Sequence, residues 1–223
     1  MSAPIPVVMF GGGGHGRVLL DAVRLQGGYD IKAIVDAQPA LRGEQLDGVP
    51  IVGGDEELPR LLREGTRHAV VAIGSVSNNS QRAELFARIK AMGFTFVNVV
   101  HPSAVVSPSA RLGEGTVVLA GAIVGPGTVV GANVIINSRA SVDHDCSIGD
   151  HVHIAPGAVL SGSVSVSDMA FIGAGATIKQ GTRIGRSALV ALGAAVIRDV
   201  PDGAAVAGVP AKAFDKKKGS GLA

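Results

Sequence analysis

Three ionisable side chains stand in a row at Asp143-His144-Asp145, and the chain's one cysteine, Cys146, follows them. A histidine titrates near neutrality, and a flanking carboxylate favours its protonated form and fixes its ring, so this stretch has the make-up of a proton acceptor. The same residues also read as a solvated surface histidine between two acids, and both readings stand at this point. His151 and His153 follow closely. Three histidines invite a zinc site, but His151 and His153 have different orientations within one hexad, which argues against one. No metal is expected.

A second chemistry-bearing stretch lies near the start, where the apolar run Pro6 to Phe10 enters Gly11-Gly12-Gly13-Gly14-His15-Gly16. Gly11, Gly13 and Gly16 satisfy G-x-G-x-x-G, and Asp36 lies twenty residues beyond Gly16. That is the dinucleotide fingerprint: glycines let backbone amides approach a phosphate at a helix N-terminus, and the carboxylate receives ring hydroxyls. A nucleotide sugar meets both requirements as well as NAD does. The stretch before residue 100 shows four strands instead of the six of a full doubly wound sheet, which favours the nucleotide sugar over a nicotinamide-dependent oxidoreductase.

The element that must position the histidines is a repeat. Every sixth residue from Val100 to Val196 is aliphatic (Val100, Val106, Leu112, Val118 and onward), and four residues after each stands a small or β-branched side chain, from Ala104 to Val200. A period of six matches neither a helix nor a hairpin sheet and is the period of a hexapeptide β-helix. Seventeen such hexads make 102 residues, five or six coils if three hexads form one turn. At the spacing of sheet strands the rod is roughly 25 Å long. In the hexad starting at Val142, His144 is third and Asp145 fourth, positions that face outward or form a corner, whereas Cys146 takes the fifth, inward position and packs inside. The sixth position points outward, and Val117, Ile123, Val129 and Ile135 there suggest an apolar belt for subunit contact. His144 and His153 are nine residues apart, half a coil, so one site using both needs two subunits, most simply in a trimer.

Ahead of the rod the chain reads as alternating strands and helices. Pro6 to Phe10, Ile31 to Val35, His68 to Ile73 and Phe94 to Val99 are strands, the last running directly into the solenoid. Helices cover Arg17 to Gln26, a stretch from an Asp55 N-cap through Arg63, and a stretch opened by Asn79 or Ser80, running to Met92 and closed by Gly93. The expected fold class is an α/β Rossmann-like N-terminal domain (residues 1–99), an all-β left-handed parallel β-helix of hexapeptide repeats (100–202) and a C-terminal tail (203–223).

Composition limits the partners. With 20 basic and 18 acidic residues the net charge is +2, which argues for neither nucleic acid nor an anionic membrane. Lys216-Lys217-Lys218 reads as a solvated end. One cysteine excludes an internal disulfide and suits a reducing compartment. No stretch reaches the ~18 apolar residues of a membrane span, and a cytoplasmic location is expected.

Taken together, residues 5–214 resemble the sugar N-acetyltransferases that join a nucleotide-binding domain to a hexapeptide rod, such as the bacillosamine-pathway and perosamine enzymes. Carrying the resemblance are Gly11 to Gly16 with His15, Val35-Asp36, Ala72-Ile73-Gly74, His101-Pro102-Ser103-Ala104, His144-Asp145-Cys146, His153 and Gly208-Val209-Pro210-Ala211-Lys212. It implies that His144 is the general base, that Asp145 raises its basicity, and that His153 lies at the acetyl-CoA thioester. Gly162, Ala174 and Leu192 line the CoA groove; Gly13, Gly14, His15, Asp36 and Gly74 hold the nucleotide sugar. Implied too are acetyl-CoA as cosubstrate, a homotrimer, a role in polysaccharide biosynthesis, and a UDP- or GDP-linked 4-amino-4,6-dideoxyhexose as acceptor. An inward Cys146 favours direct attack on the thioester over an acyl-enzyme. The chain departs from the bacillosamine enzymes at Asp145, where they have Glu, and at Ala37, where they have a second Asp. A related group O-acetylates sialic acids, which makes O-acetylation the alternative.

Overall fold

A computed structural model describes residues 3–215, so the Lys216-Lys217-Lys218 run lies outside the described residues. Strand β1 (Ile5–Phe10) is followed by α1 (Gly14–Gln26), β2 (Tyr29–Val35), the hairpin β3 (Gln45–Leu46) and β4 (Val49–Gly53), then α2 (Leu58–Arg63), β5 (His68–Val71), α3 (Ser80–Ala91) and β6 (Thr95–Phe96). They form one six-stranded sheet in the order β3-β4-β2-β1-β5-β6, parallel except for the β3–β4 pair. Val7, Val8 and Met9 of the central strand are fully buried, as a strand covered on both faces requires.

Four strands were expected and six are found. Asp47 and Gly48 both have positive φ, 47° and 85°, the backbone of a tight hairpin turn that Asp-Gly favours, and this turn folds β3 onto β4. The strand count therefore no longer argues against a dinucleotide. Two other boundaries move for local reasons. Pro59 sits at the start of α2, and Asp55 lies in a preceding 3-10 turn (Asp55–Glu57) with its carboxylate 2.9 Å from Arg88 instead of capping the helix. The expected strand from Phe94 to Val99 breaks because its hydrogen-bond partner changes: Val97 donates to the Ala69 carbonyl in the sheet, and Val99 to the Thr116 carbonyl in the rod.

From Val99 onward the chain winds a left-handed β-helix with three faces. Pairing joins residues eighteen apart, as in Val117↔Ile135 and Val118↔Ile136, so three hexads make one coil. The aliphatic column and the small residues four places on form one continuous buried core. Corners recur every six residues with positive φ, nearly as often at other residues, Asn133, Asp145 and His151 among them, as at glycine. The rod does not stop at residue 202. Ala205–Ala207 pairs with Leu189–Val190 and Lys212–Ala213 folds back antiparallel, so residues expected in the tail extend the first face.

The apolar belt is corrected by the same register. Consecutive hexads lie on consecutive faces, so Val117 and Ile135 share the first face while Ile123 and Val129 lie on the second and third. Val117 and Ile135 are fully buried in a cluster with Leu19, Leu20 and Val23 of α1, each adding about 1.5–3 kcal/mol to docking of the N-terminal domain. Ile123 and Val129 remain exposed.

Candidate active site

His144 follows the second-face strand Ser141–Val142, at the corner leading to the third face, and its side chain is 46% exposed. Its Nδ1–H donates to Asp145 Oδ2 at 2.9 Å, and its backbone N–H donates to Asp143 Oδ1 at 2.7 Å. Asp145 holds a left-handed backbone (φ 57°), which Asp tolerates better than most residues because it is short and polar. The hydrogen bond to Asp145 raises the His144 pKa above its ordinary 6.5, and the Asp143 and Asp145 charges add to the shift. With Nδ1 occupied, Nε2 is the nitrogen that exchanges protons.

The coils on either side make room for this pair. A Cβ on Gly127, one coil before Asp145, would run into the Asp145 carboxylate; a Cβ on Gly162, one coil after His144, would overlap the imidazole at Nε2 and Cε1. Among the described residues the Gly162 N–H meets no acceptor, while the Gly162 carbonyl accepts from Gly181 N–H at 3.0 Å. A free backbone donor thus lies beside the free nitrogen of the histidine. Cys146 points inward as expected: it is 2% exposed, its thiol lies 3.3 Å from the Ser161 carbonyl, and burial pushes its pKa up.

The second cluster surrounds the glycine turn. Gly13, Gly14, His15, Asp36 and Gly74 all line one cavity of about 950 Å³. The glycines divide by role. At Gly11, with φ of 115°, and at Gly16, whose Cβ would strike the Gly11 carbonyl, a side chain does not fit; at Gly13 and Gly14 nothing lies within 4 Å, leaving the helix N-terminus open to a ligand. Asp36 braces the turn, accepting from Gly12 N–H at 2.7 Å and Gln38 N–H at 2.9 Å. Sequence reasoning missed the far wall, Gln81, Glu84, Leu85 and Arg88 of α3 with Asp55. Only the spacing of Gln81, Leu85 and Arg88 along one helix face signals it.

His153 has different surroundings. It begins the first-face strand His153–Ile154 beneath the N-terminal domain and is 4% exposed. Asn137 Nδ2 donates to its Nε2 at 3.2 Å, so Nδ1 carries the proton and donates to Ser75 Oγ at 2.8 Å; Ser75 in turn donates to Asn79 Oδ1. Desolvation lowers its pKa to about 3, with Arg82 and His15 contributing.

Residues 6–89 match the PglD N-terminal domain family, and residues 127–162 match the bacterial transferase hexapeptide family. The UDP-N-acetylbacillosamine N-acetyltransferase of Bacillus subtilis (strain 168) is 39% identical over 117 residues; the matched stretch spans about half of each protein, 51% of this chain and 51% of that one. The crystal structure of PerB from Caulobacter crescentus, in complex with CoA and GDP-perosamine, is 44% identical with a TM-score of 0.88, covering 96% of this chain and 99% of that chain. The acetyltransferase domain of PglB from Neisseria gonorrhoeae FA1090, in complex with acetyl coenzyme A, is 38% identical with a TM-score of 0.85, covering 95% of this chain and 100% of that one. The chain belongs to the hexapeptide-repeat sugar N-acetyltransferases.

In this chain the expected cofactor residues fall on two edges of the rod. Gly162 shares the edge of His144, between the second and third faces. Ala174 and Leu192 stack on each other in successive coils at the edge between the first and second faces, the edge that the His153 strand leads into. A single copy does not bring the two edges together. Among the described residues no three His, Cys, Asp or Glu side chains are grouped to hold a metal, and no helix is long and apolar enough to cross a membrane.

Proposed function

We propose that this acetyltransferase moves the acetyl group of acetyl-CoA directly to the amino group of a UDP- or GDP-linked 4-amino-4,6-dideoxy sugar, with His144 as general base. The observation that carries the reading is the pairing of a carboxylate-held His144 with the free Gly162 N–H one coil away. The amine attacks the thioester carbon while Nε2 of His144 takes its proton; the developing oxyanion accepts from a backbone N–H, for which Gly162 is the candidate. Collapse expels the CoA thiolate, which receives the proton from the imidazolium. Asp145 holds the ring and stabilises its charged form. The nucleotide enters the N-terminal cavity, its diphosphate at Gly13, Gly14 and His15, its ribose at Asp36, with Gly74 along its path. Because both nitrogens of His153 are engaged, its place at the thioester is that of a wall, not of a donor.

Of the residues assigned to acetyl-CoA, Ala174 and Leu192 lie on one edge and Gly162 on another, which supports a site built between copies and hence a homotrimer; a cytoplasmic location and a polysaccharide precursor belong to the same reading. Incubating the protein with acetyl-CoA and UDP-, GDP- and dTDP-linked 4-amino-4,6-dideoxy sugars, with free thiol and product mass followed together, tests the reading. One nucleotide series should release thiol and gain an acetyl group on nitrogen. Thiol release with free sialic acid alone would favour the O-acetyltransferase, and tight NAD(H) binding without nucleotide-sugar binding would overturn the assignment of the cavity.

A further inference from the structure

Among the described residues Arg82 is the largest fully buried side chain, 1% exposed, and no carboxylate pairs with it. Buried arginines ordinarily have a counter-charge. Here one nitrogen, Nη2, donates to the Asn133 carbonyl and Oδ1 at 3.0 and 2.9 Å, while Nε and Nη1 meet no acceptor. The one other buried side-chain nitrogen or oxygen without a partner, among the described residues, is Nε2 of His15. His15 lines the cavity of the N-terminal domain, as do Gln81 and Leu85, neighbours of Arg82 on α3. The guanidinium therefore lies on the rod side of the wall whose other side is the cavity. Its charge is felt by His15, His151 and His153, each of which it pushes toward the neutral form.

We propose that Arg82 is the fixed interior cation of the nucleotide site, a positioned charge whose counter-ion is the diphosphate of the incoming sugar nucleotide. The proposal rests on the reading that this cavity takes a nucleotide. A cation on a long surface side chain would be screened by salt and would have to be ordered on binding; one packed into a domain junction is neither. His15, held neutral by burial and by Arg82, adds no second charge beside the guanidinium. The competing role is purely mechanical, since Arg82 and Asn133 also tie α3 to the rod, with Asn133 Nδ2 donating back to the Arg82 carbonyl at 3.3 Å.

A charge series separates the two. Dissociation constants are measured by calorimetry for nucleoside, monophosphate and diphosphate (guanosine, GMP and GDP, or the uridine series, whichever the protein binds), with CoA as a second ligand. Arg82→Met should weaken diphosphate binding about 10- to 100-fold, the nucleoside less than about threefold and CoA little, because the lost Coulomb attraction scales with ligand charge. Asn133→Ala, which cuts the tie and keeps the charge, should preserve the ratio of diphosphate to nucleoside affinity. Equal weakening of nucleoside and diphosphate in Arg82→Met, or no weakening, overturns the proposal. Should Arg82→Met not fold, salt dependence of the unmodified protein decides: raising NaCl from about 0.05 to about 0.5 M should weaken the diphosphate only a few-fold, and a loss beyond about thirtyfold would assign the attraction to exposed cations such as Arg17 or Arg88. Failure of the unmodified protein to bind any nucleoside diphosphate overturns the nucleotide reading together with this one, whereas normal binding with an unaffected Arg82→Met overturns this one alone.

Discussion

His144 and His153 occupy neighbouring turns of one regular rod, yet their rings are in opposite states. The first stands at an open corner with a carboxylate on Nδ1, which raises its pKa; the second is sealed under the N-terminal domain among a serine, two asparagines and a buried arginine, and its pKa falls to about 3. A histidine's chemistry is therefore set less by its place in the repeat than by what covers the face it projects from. An open corner gives a titrating base; a covered face gives a neutral, hydrogen-bonded spacer.

The sharpest way to break this contrast is His144→Asn, which should lower kcat about 10²- to 10⁴-fold with the KM for acetyl-CoA nearly unchanged, as loss of a general base does. Full kcat in steady-state assays of the folded variant would place the base elsewhere. Gly162→Ala should come next. Its methyl displaces the imidazole from Asp145, and misplacement on that scale costs about 10² in rate. Circular dichroism should show the rod intact.

Asp145→Asn should cost about tenfold and carries a sign. The carboxylate raises the His144 pKa, and in the proposed mechanism the free base is the active form; removing the carboxylate lets the histidine lose its proton at lower pH, so the acidic limb of the kcat profile should move down. An upward move would contradict the hydrogen bond. For the covered region the prediction concerns stability. His15 and His153 have folded pKa values lowered to about 4 and about 3, below the unfolded 6.5, so the unfolded chain binds protons first as pH falls. Stability should hold above pH 6.5 and decline below it, by up to about 1.4 kcal/mol per pH unit for each histidine until its folded pKa is reached. Urea titrations between about pH 7 and pH 4.5 should show a shallower decline in His153→Asn than in the parent, and an unchanged slope would mean that His153 takes up protons in the folded state. The smallest effect is expected for Cys146→Ala, about 1 kcal/mol of stability with turnover retained, because the inward thiol only packs; loss of several hundredfold in kcat would mean it does chemistry.

The rod was legible because its signal is redundant: seventeen hexads repeat one inside-outside pattern, and the register of eighteen found in the pairing follows from three of them per coil. The glycine turn and Asp36 were legible because the turn's backbone needs declare themselves in residue type. The β3–β4 hairpin was overlooked although Asp47-Gly48 announced it, because its strands are short and Pro50 interrupts the run. The misread belt is more instructive. Outwardness at the sixth position was right, but outward from the rod is not outward from the protein, and only docking of α1 buries Val117 and Ile135.

What the sequence by itself determined is local: the period of six sets which residues face the core, and the adjacency of His144 and Asp145 lets one side chain reach the other's ring through a single corner. What only the tertiary structure decided is environment. Gly162 meets His144 across eighteen residues, Ser75 meets His153 across 78, and Arg82 meets Asn133 across 51. Protonation state and access to solvent depend on those distant partners, because desolvation and Coulomb terms follow distance in space and not position along the chain.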